Sequence, residues 1–207
     1  MQSSNQQPEL IPDAVEAVLR DTILPDLDRG RKNFDRPHTE AVVFWMKELL
    51  GQIDPVSSYS ATELITAAYA HDWGYIGLFD GVNSDDPQVI ASRKPLHMER
   101  GAEMIHKLLT EKLSQFFSSE SIERVAHLVA VHDKVEELSS AAELLIMEAD
   151  TLGMLDVSKV KPTFSAKNNV TFMEKEIYGR RLPKFMHRDA KINAQKLAQA
   201  RATFFTK

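Results

Sequence analysis

The chain has 207 residues, 43% of them hydrophobic and 27% charged, which is ordinary for a water-soluble globular protein. Its net charge of -5 argues against binding to a nucleic-acid polymer through global electrostatics. The absence of cysteine excludes disulfide bonds and thiolate metal sites. Because no apolar run approaches membrane-spanning length and the N-terminus lacks a signal-peptide pattern, we expect a cytoplasmic protein.

Hydrophobic periodicity predicts helices along the chain, and no segment alternates convincingly with the period of a β-strand. After a loose tail over residues 1–12, the first helix is predicted from Asp13 to Leu24, with Pro25 ending it. A second helix is predicted from His38 to Leu50. The third begins at the capping-box pair Ser60 and Glu63 and ends at His71-Asp72. Its almost continuous apolar run predicts a buried helix, and the predicted fold class is all-α.

The next stretch, Tyr75 to Pro95, is rich in glycine and polar residues and is predicted to be a long connector. Connectors of this length in a compact domain are typically functional lids or binding loops, so we expect a mobile cover here. Further helices are predicted from about His97, from Ser119 to His132, and from the capping box at Ser140 to about Asp156. Two more, separated near Pro183, complete the chain.

Six ionisable side chains occupy the apolar faces of five predicted helices, although each alone could be a hydrogen-bonded core residue. They are His38, His71, Asp72, His97, His132 and Asp150. Unpaired charges are unfavourable in a protein interior, and imidazole and carboxylate groups are ligands for Fe, Mn, Zn, Ni or Mg. Together the six predict a metal site. His106, His127 and His187 are predicted not to bind metal, because their helical neighbours are polar or their phase is wrong.

The order of these residues resembles the metal motif of the HD-domain superfamily of metal-dependent phosphohydrolases. The matching stretches are RPHTEAV, AYAHDWGY and MEADTLG, within residues 34–157. The histidines in LHMERGAEMI and VAVHDKVEE resemble those of branches that bind two metal ions. The resemblance implies one or two divalent ions per chain, with the first held by His38, His71, Asp72 and Asp150. Asp72 would be the catalytic bridging carboxylate, and His97 and His132 would complete the second position.

The same resemblance implies a helical bundle, and the limits of the matching region divide the chain into three parts. These are a tail and helix over residues 1–33, a metal-binding core over 34–157, and a helical extension over 158–207 packed on that core. One position departs from the family pattern. Many members have a lysine in the motif HD-x-G-K, where this chain has Tyr75. If that lysine assists at the phosphate, another residue must replace it here.

The implied function is hydrolysis of a small phosphate ester, such as a nucleotide, by a metal-activated water. Six cations are candidate phosphate-binding residues: Arg36, Lys94, Arg100, Arg180, Arg181 and Lys184. Lys94 and Arg100 are favoured because they flank His97. Two alternatives stay open: an HD-type di-iron oxygenase that cleaves a C–C or C–P bond, and a non-catalytic metal-bound regulatory module. We expect a small phosphorylated metabolite or nucleotide as the partner, with no membrane and no nucleic-acid polymer, and leave homo-oligomerisation open.

Overall fold

The computed structural model describes residues 10–52, 59–84, 86–163 and 165–205. Within these ranges the chain forms eight α-helices and no β-strand, which confirms the predicted all-α class. The helices are α1 (Asp13–Leu27), α2 (Asp35–Leu50), α3 (Ala61–Ala70), α4 (Pro87–Lys112), α5 (Ser119–Val131), α6 (Ala141–Leu155), α7 (Ala166–Phe172) and α8 (Arg188–Phe204). Residues 1–9 of the predicted tail lie outside the described ranges. None of the described helices is long and apolar enough to span a membrane.

Three short elements join these helices. A 3₁₀ turn (Trp73–Tyr75) follows α3 directly. A π-helical segment (Met173–Arg181) and a second 3₁₀ turn (Leu182–Lys184) connect α7 with α8. The predicted helix break near Pro183 therefore falls in this second turn, between the two C-terminal helical stretches.

The buried helix α3 is the centre of the bundle. Every residue from Glu63 to Ala70 is buried, as its apolar run predicts. Its predicted capping box is confirmed, because Ser60 Oγ accepts a hydrogen bond from Glu63 N and the Glu63 carboxylate accepts one from Ser60 N. Helices α1, α2, α5 and α6 pack against it. The end of α3 is consequently surrounded by other helices.

Helices α2 and α6 pack closely because a glycine lies between them. A Cβ atom at Gly153 would come within 2.6 Å of the Val42 side chain, so any larger residue would force the two helices apart. The predicted capping box of α6 is also confirmed by reciprocal hydrogen bonds between Ser140 and Glu143. This pairing brings the two helices that carry His38 and Asp150 side by side.

Two predicted helix boundaries at prolines are wrong. Helix α1 continues through Pro25 to Leu27, and α4 contains Pro95. Each proline removes one N–H donor, but both are exposed and the opposite faces of their helices are buried in the core. Helix α4 begins at Pro87, where Asp86 Oδ1 accepts a hydrogen bond from Gln88 N at 2.8 Å. The predicted connector Tyr75 to Pro95 is therefore shorter, and its last part is the start of α4.

Other boundaries differ by a few residues. Helix α2 begins at Asp35, one turn before His38, and the N-cap of α5 is Ser118 instead of Ser119. The buried carboxylate of Glu148 in α6 accepts hydrogen bonds from Met186 N at 2.5 Å and from His187 N and Nδ1. These bonds fasten the start of α8 to α6. The C-terminal helix packs along α6 as a result.

Substitution of Gly74 in the first 3₁₀ turn tests how closely this turn approaches α4. A Cβ atom there would lie 2.6 Å from Gly101 N in α4 and even closer to His97 O, and both are backbone atoms that cannot rotate away. We expect Gly74→Ala to lower the free energy of unfolding by about 1–3 kcal/mol, the usual cost of overpacking. Urea unfolding followed by circular dichroism measures this change.

The matched control is Gly51→Ala at the C-cap of α2. A Cβ atom there meets its nearest neighbours at 3.5 and 3.6 Å, which is ordinary van der Waals contact. Its unfolding free energy should change by less than about 0.5 kcal/mol, as for most surface substitutions. Equal unfolding midpoints for the two variants would contradict the close approach of the turn to α4.

Candidate metal centre

The structure brings the six predicted ligand residues together in one buried cluster. His38 comes from α2, His97 from α4 and Asp150 from α6. His71 and His132 are the C-cap residues of α3 and α5, and Asp72 precedes the 3₁₀ turn. None of the six is more than 5% exposed. Five helices therefore contribute polar side chains to a single point in the core.

The six residues form two groups of three whose potential ligand atoms lie within 4.8 Å of one another. In the first group, His38 Nε2 lies 3.0 Å from Asp150 Oδ1 and 3.2 Å from His71 Nε2. In the second group, the Nε2 atoms of His97 and His132 are 3.3 Å apart. The third member of that group is Asp72.

The carboxylate of Asp72 belongs to the second group and also faces the first. Its Oδ2 atom is 3.6 Å from His38 Nε2 and 3.5 Å from His71 Nε2. Its Oδ1 atom is 3.4 Å from His97 Nε2 and 3.7 Å from His132 Nε2. Each oxygen thus faces one pair of imidazoles, so Asp72 would be able to contribute to an ion in either group.

The imidazole rings are oriented by contacts outside the cluster. His71 Nδ1 donates a hydrogen bond to Ala68 O, and His132 Nδ1 donates one to Val129 O, both at 2.8 Å. A neutral imidazole that donates through Nδ1 presents the lone pair of Nε2, the form that binds metal. His38 is instead stacked on Phe34, and His97 on Tyr75 with ring centroids 3.9 Å apart.

The protonation states of four of the six residues fit a divalent cation directly. Burial lowers the pKa of His71 to about 4 and also lowers the pKa of His97. Burial disfavours ionised Asp72 and Asp150, but the surrounding cationic groups and hydrogen bonds outweigh it and the pKa of both is lowered. For His132 burial is outweighed by Asp72 and its pKa is raised, so this imidazole would release a proton when an ion binds. Ionised carboxylates and neutral histidines are the donor set that a divalent ion requires.

Arg31 is a contact of Asp72 that its sequence context does not indicate. Its Nη2 atom donates a hydrogen bond to Asp72 Oδ2 at 3.0 Å, and its Nε atom donates to Asp35 Oδ1 at 2.6 Å. The guanidinium carbon lies 4.5 Å from the ring centroids of both Phe34 and Tyr75. Arg31 belongs to a basic connector before α2, where no periodicity distinguishes one arginine from its neighbours.

Arg181 connects the C-terminal extension to the cluster. Its Nη1 atom donates to Asp150 Oδ2 at 2.8 Å, and its Nη2 atom donates to Asp133 Oδ1 at 2.6 Å. Lys94 Nζ lies 2.8 Å from the other oxygen of Asp133. Asp133 was not among the predicted site residues, and its only signal in the sequence is its place directly after His132. The guanidinium of Arg181 and the two carboxylates form a buried charge network beside the histidines.

A cavity of about 310 Å³ opens beside the cluster. Its apolar walls include Phe34, Ile90, Met154 and Phe172. Of the six predicted phosphate-binding cations, Lys94 and Arg181 line it. Arg36, Arg100, Arg180 and Lys184 do not.

The geometry gives no support for a role of these four cations in phosphate binding. Arg36 pairs with Asp28 and Glu40, and Arg180 pairs with Glu136 and Glu176. Lys184 donates a hydrogen bond to the backbone carbonyl of Glu136, whereas Arg100 is half-buried and does not line this cavity. Sequence proximity to His97 favoured Arg100 together with Lys94, but only Lys94 faces the cavity.

The three histidines predicted not to bind metal lie outside both groups. His106 contacts Glu123, His127 contacts Glu143, and His187 contacts Glu148. Each therefore has a single carboxylate neighbour among the described residues and no second imidazole.

Metal content should separate the roles of these residues. Because Asp72 faces both groups, Asp72→Ala should remove most of the bound metal, whereas His97→Ala should affect mainly the second group. Elemental analysis of the wild-type protein after dialysis should give roughly two divalent ions per chain, with roughly one in His97→Ala. Retention of wild-type metal content by Asp72→Ala would contradict the bridging role.

His127→Ala is the matched control for His97→Ala. His127 has a half-exposed side chain on α5, and its Nε2 atom lies 2.8 Å from Glu143 Oε1. Its substitution should leave the metal content unchanged. A loss of metal equal to that in His97→Ala would show that metal binding depends on general helix stability and not on the two ligand groups.

Comparison with known proteins agrees with this geometry. A protein-family model described as HD domain matches residues 37–155, a range that contains all six clustered residues. No curated protein and no solved structure matches the chain. Since the family match covers more than half of the chain and includes both His/Asp groups, the chain belongs to the HD domain family of divalent-metal-binding proteins.

Proposed function

We propose that this chain is a metal-dependent phosphohydrolase that acts on a small phosphate ester, nucleotides among them, as a cytoplasmic enzyme. The observation that carries this proposal is the position of Asp72, whose two oxygens face separate ligand groups beside a cavity lined by cations. When bound, two divalent ions supply a water of lowered pKa and neutralise the charge on phosphoryl oxygens. Membership of the HD family supports the same class of chemistry.

Lys94 is the proposed contact of the chain with the phosphoryl group. Its side chain is about one-third exposed and lines the cavity. One direction of the ammonium group is occupied by Asp133, 2.8 Å away, which leaves other N–H groups to bind phosphoryl oxygens. Asp133 is held in turn by Arg181, so the orientation of Lys94 is set by a buried ion pair.

Arg31 is the proposed positioning residue at the place where this chain lacks the family lysine. Tyr75, which stands at that motif position, lies flat on His97 and carries the guanidinium of Arg31 on its ring. Through Nη2, Arg31 holds the Oδ2 atom of Asp72. We infer that Arg31 and Tyr75 together orient the Asp72 carboxylate and the ring of His97.

Phosphate release tests the proposal. The protein is loaded separately with Mn, Fe, Zn, Ni or Mg and assayed against phosphomonoesters and phosphodiesters, with and without dioxygen. We expect inorganic phosphate from a monoester, or an alcohol and a monoester from a diester, at equal rates under both atmospheres. Products that form only with dioxygen would indicate an oxygenase, and metal binding without any turnover would indicate a regulatory module.

Lys94→Gln should lower kcat/KM for the best ester by about 10- to 100-fold, because a hydrogen bond to a charged group contributes about 1.5–3 kcal/mol. The matched control is Lys107→Gln on the same helix, where the lysine is 73% exposed and lies 4.0 Å from Glu111. That variant should keep the wild-type kcat/KM. Equal activity of the two variants would remove Lys94 from the proposed mechanism.

A further inference from the structure

The cations along the cavity differ in whether a carboxylate neutralises them. Five cationic side chains line the cavity: Arg31, Lys94, Lys175, Arg181 and Arg201. Three of these form ion pairs with buried carboxylates near the ligand groups. Within the described part of the chain, Lys175 and Arg201 form none. Both belong to the C-terminal extension and lie beyond the family match.

Arg201 is a buried guanidinium with neutral partners. Only 2% of the residue is exposed. Its Nε atom donates to Asn169 Oδ1 at 2.7 Å, and its Nη1 atom donates to Met154 O at 2.6 Å. Burial lowers its pKa to about 10. A buried charge without a counter-ion is unfavourable, and an anion bound beside Arg201 would provide one.

One amino group of Arg201 remains for such an anion. Nη2 forms no hydrogen bond with the described residues, and the side chain lines the cavity beside Phe172, whose ring centroid is 5.2 Å from the guanidinium carbon. Lys175 lines the same cavity from the π-helical segment with an exposed side chain. The contacts of Arg201 with Asn169 and Met154 fix the plane of its guanidinium, which favours recognition of a carboxylate or phosphate.

We propose that Arg201, assisted by Lys175, forms a second anion-binding subsite in the metal cavity. The substrate then carries two anionic groups: a phosphate at the metal-ligand groups and a carboxylate or second phosphate at Arg201. This inference rests on the proposed hydrolase function for the first group only. The subsite would select doubly anionic esters over esters with a neutral end.

Matched alkyl phosphates test this selectivity. Their chains of three to eight carbons end in a methyl group, a carboxylate or a second phosphate. At the chain length that spans the cavity, kcat/KM should be at least about 10-fold higher for one of the anionic ends, as expected for a charge-assisted hydrogen bond. Arg201→Gln should bring this ratio close to one. A ratio near one in the wild-type enzyme would overturn the subsite.

Three further variants keep the result interpretable. Arg201→Lys retains the charge and should keep part of the preference. Lys175→Gln changes an exposed residue, so it should fold normally and reduce the preference even if Arg201→Gln is unstable. Lys196→Gln removes an exposed charge from the same helix α8 and should leave the ratio unchanged. A wild-type ratio in Arg201→Gln, or in Lys175→Gln where Arg201→Gln does not fold, would contradict the proposal.

Binding without turnover separates this inference from the hydrolase proposal. Alkyl phosphonates with the same ends are not hydrolysed, and calorimetry measures their affinity for the metal-loaded protein. If no ester is hydrolysed but a terminal anion strengthens phosphonate binding only when Arg201 is present, the hydrolase proposal fails and the subsite stands. If esters are hydrolysed and neither anionic end strengthens binding, the subsite fails and the hydrolase proposal stands.

Discussion

The burial of the Asp72 charge is the constraint on which the rest of the structure depends. A carboxylate that is only 5% exposed must be compensated by cations or strong hydrogen-bond donors. Here four imidazoles and the guanidinium of Arg31 surround it. These groups come from separate helices and from the connector before α2. The helices can therefore pack in this arrangement only if these polar side chains meet at one place, and the proposed chemistry occurs at that same place.

The six clustered residues could be predicted because each lies in a regular helix or at its end. Helical spacing assigned His38, His97 and Asp150 to buried faces, and the His71-Asp72 pair followed a clear capping box. The two prolines misled the boundary predictions because Pro25 and Pro95 lie on exposed faces, where a helix tolerates the loss of one donor. The local sequence pattern does not show whether a proline lies on the exposed or the buried face of a helix. That becomes clear only when the packing partners of the helix are known.

The contacts around the cluster were harder to predict, since they depend on pairs that are distant in sequence. Arg31 reaches Asp72 across 41 positions, and Arg181 reaches Asp150 across 31. Neither arginine lies in a periodic pattern that distinguishes it from surface cations nearby. The same reason explains why Arg36 and Arg180 resembled candidates although they pair with exposed carboxylates. The residue type suggested phosphate binding, but whether a cation can bind phosphate depends on its position relative to the cavity in the folded chain.

The long-range pairing of Arg181 also has a consequence for how the protein is made. A ribosome completes the six clustered residues by position 150, while the guanidinium that neutralises Asp150 and Asp133 emerges 31 residues later. Domains fold from the N-terminus during synthesis. Until Arg181 is added, Asp150 and Asp133 lack this guanidinium, although Lys94 is already present as a partner for Asp133. The C-terminal extension is therefore part of the charge balance of the centre, although it lies beyond the family match.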